Sequence, residues 1–342
     1  TMQTRVAVLS CCLASLVLVS ALPTSTSWEK HEIVLTFKNV AVNGVNHATS
    51  TSQSRISTAD RYGATEWVEG QASTAIWTSV ATGYENGTFS NHGNISFSAT
   101  DALLFESASL GHATECASDV GGKPSQCGAI TYRITGGTGL YAQAQGTMVD
   151  TFLAPDGQIA FDINVWAVFW IPTQAHSSTL PELALPMFDM SRLFAKPQSK
   201  RHEFALKFST KSVGNVNHGT AGTQEMSTDL SRPGVVGFSL RESGPTVMSW
   251  NSTVQSGPEG TFTEQGVISG SHSELGPWSL SFQSVGNGVS LDCPNNGCGA
   301  IVYEITNGTG LYAHAQGLMM DVFVAPNKAD VFEINAWAVW WV

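Results

Sequence analysis

Residues 127–170 read CGAITYRITGGTGLYAQAQGTMVDTFLAPDGQIAFDINVWAVFW, and residues 298–341 read CGAIVYEITNGTGLYAHAQGLMMDVFVAPNKADVFEINAWAVWW. The two stretches keep the same order of landmarks at a constant spacing of 171 residues. So constant a period over more than 40 residues is the signature of a duplicated unit. The 342-residue chain suits that reading, since two domains of about 140 residues each lie near the usual domain size.

Working outward, His31-Glu-Ile-Val-Leu-Thr-Phe37 alternates as a half-buried strand does, and His202-Glu-Phe-Ala-Leu-Lys-Phe208 repeats it 171 residues later. Trp77 matches Trp250, and Gly87-Thr-Phe89 matches Gly260-Thr-Phe262, at a spacing of 173. Short β-branched and aromatic runs recur between Gly, Asn and Ser, and no apolar 3.6-residue period is long enough for a substantial helix. The fold class is therefore all-β. Repeat 1 spans residues 28–171 and repeat 2 spans 201–342. Between them residues 172–200 form a Pro-rich linker, and its Leu183, Leu185, Met187, Phe188 and Met190 predict packing on a barrel, with a helical turn at 189–196.

At the other end, residues 1–21 carry Arg5, an apolar run from Val6 to Val19, and Val19-Ser20-Ala21, which reads as a secretory signal peptide. The run is short for a membrane span, so no membrane association is expected once the signal is removed. Four cysteines remain beyond it: Cys116 with Cys127 and Cys293 with Cys298 are the natural disulfide pairs of a secreted, extracellular protein. Asn86, Asn94, Asn251 and Asn307 open N-glycosylation motifs. Net charge of −11 with only 13% charged residues, and no Lys/Arg cluster, argues against nucleic acid as a partner. No His pair stands at finger spacing near the cysteines, and no metal site is expected.

Comparison of the copies assigns faces. In the strand after the glycine turn, Ala142, Ala144, Gly146, Met148, Asp150 and Phe152 are identical to Ala313, Ala315, Gly317, Met319, Asp321 and Phe323, whereas the alternate residues differ at most positions. Alternation sends the two sets to opposite sides of the sheet, and the unchanged side is assigned to the packed interior. That puts Asp150 and Asp321 inside, where a carboxyl needs a partner or a task. On the last strand Asp162, Asn164, Trp166, Val168 and Trp170 share a face, matched by Glu333, Asn335, Trp337, Val339 and Trp341. With Tyr132 and Tyr303 these predict a cavity wall of acid, amide, phenol and indole. The alternatives are structural: buried hydrogen bonds for the acids, backbone satisfaction for the asparagines, core filling for the tryptophans, and core tyrosines with satisfied hydroxyls.

The glycine turn and the strands after it resemble the dirigent proteins and, more distantly, the allene oxide cyclase barrels. The family pattern of Gly-Gly-Thr-Gly, a following aromatic, and a last strand of acid-x-Asn-Val-aromatic is met by Ile134 to Gly146 and by Asp162 to Trp166. The resemblance implies an eight-stranded antiparallel barrel per repeat, a hydrophobic lumen, and association through barrel exteriors, so that the two barrels pack together or self-associate. It also implies chemistry without a cofactor: shape and a few polar groups guide a hydrophobic or aromatic small molecule through cyclisation, isomerisation or coupling. Asp150, Asp321, Asp162 and Glu333 would then act as acids or cation stabilisers. Tyr132, Tyr303, Asn164, Asn335, Trp166, Trp337, Trp170 and Trp341 would line the substrate site. A non-catalytic carrier or lectin-like protein, with Trp67, Trp77, Trp250 and Trp278 in an outer groove, is the second reading. A cofactor-free oxidation of an organic substrate is the third.

Overall fold

The computed structural model describes residues 27–50, 53–57, 65–69, 75–116, 125–154, 160–173, 201–228, 236–241, 248–272, 275–326 and 330–342, with backbone only at 53–57, 65–69, 223–228, 236–241 and 272. The expected signal peptide and nearly all of the linker, including its apolar residues and helical turn, lie outside the described residues.

Repeat 1 contributes β1 (Trp28–Val42), β2 (Val45–Ser50), β3 (Gln53–Ser57), β4 (Thr65–Glu69), β5 (Ala75–Gly83), β6 (Thr88–Ser96), β7 (Ala102–Ser107), β8 (Gly111–Cys116), β9 (Ser125–Thr138), β10 (Gln145–Ala154) and β11 (Ala160–Pro172). Asn43 and Gly44 join β1 to β2, both at positive φ, the two-residue hairpin that the strand twist favours. Every pairing is antiparallel, and the order β1-β2-β5-β6-β7-β9-β10-β11 returns to β1. Strand β8 also sits between β6 and β9, so β7 and β8 act as one interrupted strand and the barrel has eight. Closure leaves no free sheet edge in the barrel.

Repeat 2 builds the same ring from β12 (Arg201–Val213), β13 (Val216–Ala221), β16 (Met248–Ser256), β17 (Thr261–His272), β18 (Gly276–Ser284), β19 (Gly288–Cys293), β20 (Asn296–Thr309), β21 (Gln316–Pro326) and β22 (Val331–Trp341). Between β13 and β16 lie β14 (Thr223–Thr228) and β15 (Val236–Arg241). These pair with β3 and β4 into a small sheet shared by both repeats, in which β14 lies against β3. The hairpin of each repeat reaches the first strand of the other barrel: β14 and β15 approach β1, while β3 and β4 approach β12.

Three apolar cores result. One fills each lumen, and the third lies between the barrels, built from Val34, Val149, Trp166, Val168 and Trp170 on one side and Met320, Val322, Trp337, Val339 and Trp341 on the other. Strands β11 and β22 therefore bury both faces. Ile163, Val165, Ala167 and Phe169 face the first lumen, and the tryptophans between them face the other barrel. Here the structure corrects the sequence reading. Trp166, Trp170, Trp337 and Trp341 are not lumen walls; they are the inter-barrel core.

Candidate functional site

Strand alternation places Met148, Asp150 and Phe152 of β10 and Ile130, Tyr132 and Ile134 of β9 inside the first barrel, as expected. Asp150 is 3% exposed and Tyr132 fully buried. The Tyr132 hydroxyl donates to Asp150 Oδ2 at 2.6 Å, and Asn91 Nδ2 of β6 donates to the same hydroxyl oxygen at 3.1 Å. Burial pushes the Asp150 carboxyl up to about 7, against the opposing effect of the phenol hydrogen bond. Burial and then the Asp150 charge raise Tyr132 well above the ordinary phenol value. A second chain runs beside the first: Asn39 Nδ2 donates to Asn46 Oδ1, Asn46 Nδ2 to Ser79 Oγ, and Trp77 Nε1 to Ser79 Oγ. The Oδ1 atoms of Asn39 and Asn91 are buried without a hydrogen-bond partner among the described residues.

This polar layer separates two aromatic ones. Below it, Phe37, Trp77, Phe105 and Tyr132 interlock, with ring centroids 4.4 Å apart for Trp77 and Phe105 and 4.9 Å for Phe105 and Tyr132. Above it, Phe89, Phe152 and Phe161 are half-buried at the barrel end, with neighbouring centroids 5.8 and 5.7 Å apart. Phe152 lies over Gly128, its cross-strand partner, where a Cβ would meet the ring at 2.3 Å. Gly299 seats Phe323 in the same way, which accounts for the glycine of the repeated Cys-Gly-Ala-Ile. Cys116–Cys127 and Cys293–Cys298 are joined, with Cα atoms 5.9 and 5.8 Å apart, and they tie β8 and β19 to the strands carrying those glycines.

The second lumen repeats the plan with two exchanges in its polar layer, Thr210 for Asn39 and Glu264 for Asn91. Phe262, Phe323 and Phe332 form the rim, and Trp250, Phe282 and Tyr303 fill the layer below. Where barrel 1 has Asn91, barrel 2 has Glu264. The Tyr303 hydroxyl lies 2.6 Å from Asp321 Oδ2 and 2.8 Å from Glu264 Oε2. Glu264 Oε1 also accepts from Ser252, from Asn217 Nδ2 at 3.3 Å and from Trp250 Nε1 at 3.4 Å. Glu264 thus joins into one network what barrel 1 keeps as two. Burial and then the Glu264 charge raise the Asp321 carboxyl well above its ordinary value.

The remaining residues expected at this site lie elsewhere. Asp162 is on the outer side, held by Lys38 Nζ at 2.9 Å from both oxygens. Glu333 pairs with Lys207 at 3.3 Å and, across the barrels, with Lys30 at 2.9 Å. Burial alone would raise Glu333, but the two ammonium groups outweigh it and hold the carboxyl below its ordinary value. Asn164 Oδ1 accepts from Thr36, and Asn335 is fully buried on the outward face of β22, unpartnered among the described residues. Trp166 and Trp337 donate to Glu32 and Glu203, both at 2.7 Å. The physical reason for the correction is symmetry: identity between the copies marks packing, and these strands pack on two sides.

The outer-groove tryptophans also fail to appear. Trp77, Trp250 and Trp278 are buried, and the side chain of Trp67 lies outside the described residues. Barrel 2 does carry an open groove of about 450 Å³ on its exterior, lined by Asn251, Thr253, Gln265 and Gln283 among others, without a tryptophan. Asn86, Asn94, Asn251 and Asn307 are all exposed or half-exposed. Among the described residues no cluster of three or more His, Cys, Asp or Glu could hold a metal ion, and no helix is long and apolar enough to cross a membrane.

Sequence reasoning missed Asn91, Glu264, the Asn39–Asn46–Ser79 chain and the phenylalanine rim. A signal existed for two of these, because the matched Gly-Thr-Phe of each copy leads two residues later to Asn91 and to Glu264 on the same strand face. Comparison with known proteins adds nothing further: no family model, no curated protein and no solved structure matches the chain.

Proposed function

We propose that this is a secreted barrel protein that binds a small hydrophobic or aromatic molecule at the mouth of each barrel and guides its cyclisation, isomerisation or coupling. The observation that carries the reading is the acid–phenol pair, Asp150 with Tyr132 and Asp321 with Tyr303, buried beneath three phenylalanines in both barrels, all half-buried in barrel 1 and two of them, Phe323 and Phe332, in barrel 2. A carboxyl near 7 exchanges a proton at neutral pH, which suits general acid or base work. The rings below the polar layer occupy the deeper lumen, so the ligand sits between rim and acid rather than along the barrel axis. The chemistry proposed needs no cofactor, and the disulfides favour an oxidising, extracellular setting.

Native mass spectrometry of protein purified from its source, before and after organic extraction, tests this. An aromatic or lipid-like molecule that leaves on extraction, and whose binding weakens in Phe152→Ala and Phe323→Ala, is the expected result. An empty protein that binds none of a panel of such molecules would overturn it. The filled lower lumen favours a second reading, a non-catalytic carrier. It is distinguished by recovering the ligand unchanged after prolonged incubation.

A further inference from the structure

The Tyr303 hydroxyl has one proton and two carboxyl oxygens within hydrogen-bond reach, one from Glu264 and one from Asp321. If both carboxyls were ionised, one of these contacts would set oxygen lone pairs against each other in a site shut off from water. Among the described residues nothing nearby supplies a cation. The lumen-facing neighbours are Thr210 of β12, Asn217 of β13, Trp250 and Ser252 of β16, Phe282 of β18, and Ile334 and Ala336 of β22, none of them charged or titrating near neutrality. Two polar atoms here have no partner among the described residues, Asp321 Oδ1 and Thr210 Oγ1, each on a residue 1% exposed. The arrangement has unused hydrogen-bonding capacity under the rim.

We propose that Glu264 and Asp321 hold a single proton between them through Tyr303, and that the carbonyl oxygen of a neutral ligand seated under the phenylalanine rim of the second barrel draws this proton out of the Tyr303 contact into a hydrogen bond with itself. The proposal rests on the mouth-site reading above and adds a second acid, Glu264, to it. Transfer balances simply. The O–H bond of the pair breaks, the ligand oxygen gains the proton, and the phenol keeps its own and donates to one of the two carboxylates. When the ligand then loses a proton from the carbon beside its carbonyl back to the pair, that C–H bond breaks, its electrons form a C=C bond, the keto form has become the enol, and the protein is as it began. In barrel 1, Asn91 offers an amide at this position, so Asp150 acts alone.

The test uses the full chain and infrared spectroscopy at about pH 9, where a lone acid such as Asp150 is ionised. The wild type should keep the carbonyl-stretch band of one protonated carboxyl, Glu264→Gln and Asp321→Asn should each lose it, and Asn91→Glu should roughly double it. Absence of the band in the wild type, or its survival in both barrel 2 variants, overturns the shared proton. Acetophenone is the ligand probe. Its carbonyl band should move to lower frequency when bound to the wild type and lose that shift in Glu264→Gln while still binding. A shift unchanged in Glu264→Gln overturns the donor assignment. A retained carboxyl band with no acetophenone binding overturns the mouth-site reading and its ligand, and leaves the proton count standing.

Discussion

In the first barrel an amide, Asn91, hands its N–H to a tyrosine that serves one carboxyl; in the second a carboxyl, Glu264, takes that place and must share the tyrosine with Asp321. The three rim phenylalanines and the Trp–Phe–Tyr cluster beneath are alike, while the uncharged Thr210 stands where barrel 1 has Asn39. Two lumens of one shape therefore differ by one ionisable group. Shape is held by packing, while the proton inventory of a buried site turns on a single side chain.

The largest effect that would sharpen this contrast is the pH dependence of stability. Asp150 binds its proton more tightly in the folded chain, at about 7, than in the unfolded chain, near the usual carboxylate value. Its contribution is therefore fully present below about pH 4 and is lost as pH rises through about 7, a change of up to roughly 4 kcal/mol for a group fully shut off from water. Denaturant unfolding at a series of pH values should show this decline, and Asp150→Asn should remove the barrel 1 part of it. Asp321 acts in the same direction, so residual decline at higher pH in Asp150→Asn belongs to barrel 2.

Removing the phenols comes next. Tyr303→Phe removes a partner from two carboxyls at once, leaving Asp321 with none among the described residues while Glu264 keeps Ser252, Asn217 and Trp250, whereas Tyr132→Phe removes a partner from Asp150 alone. The expected losses are about 3 and about 2 kcal/mol by urea unfolding at neutral pH. Equal losses would break the claim that the networks differ.

The disulfides should differ less. Cys116 and Cys127 are 11 residues apart and Cys293 and Cys298 only 5, so replacing each pair by alanines should cost about 2.7 and about 2.1 kcal/mol respectively, on the loop-closure argument. The smallest contrast concerns the rim. Phe152→Ala and Phe323→Ala truncate half-buried rings seated on equivalent glycines, and both should cost about 2 kcal/mol, less than the roughly 3–5 kcal/mol of a fully buried ring. A large difference between them would show that the mouths are not equivalent.

Much of the fold was legible. The 171-residue period established the duplication, and alternation in β9 and β10 correctly turned Tyr132, Asp150 and their counterparts inward. The same rule misplaced the tryptophans of β11 and β22, because it separates two faces without saying what covers each. Both faces of these strands are apolar, one for the lumen and one for the neighbouring barrel. Asn91 and Glu264 escaped notice because they sit in the stretch where the copies have drifted apart, where the change itself carries the meaning.

The sequence by itself determined the two-fold repeat, the all-β class, the cysteine pairs and the inward acids, since each of these follows from local spacing and alternation. Only the tertiary structure decided that the indoles of Trp166 and Trp337 bind the barrels together, and that a glutamate on β17 meets a tyrosine on β20 and an aspartate on β21. Those meetings depend on how the ring of strands closes and how one ring packs on the other, and no local pattern encodes such distances.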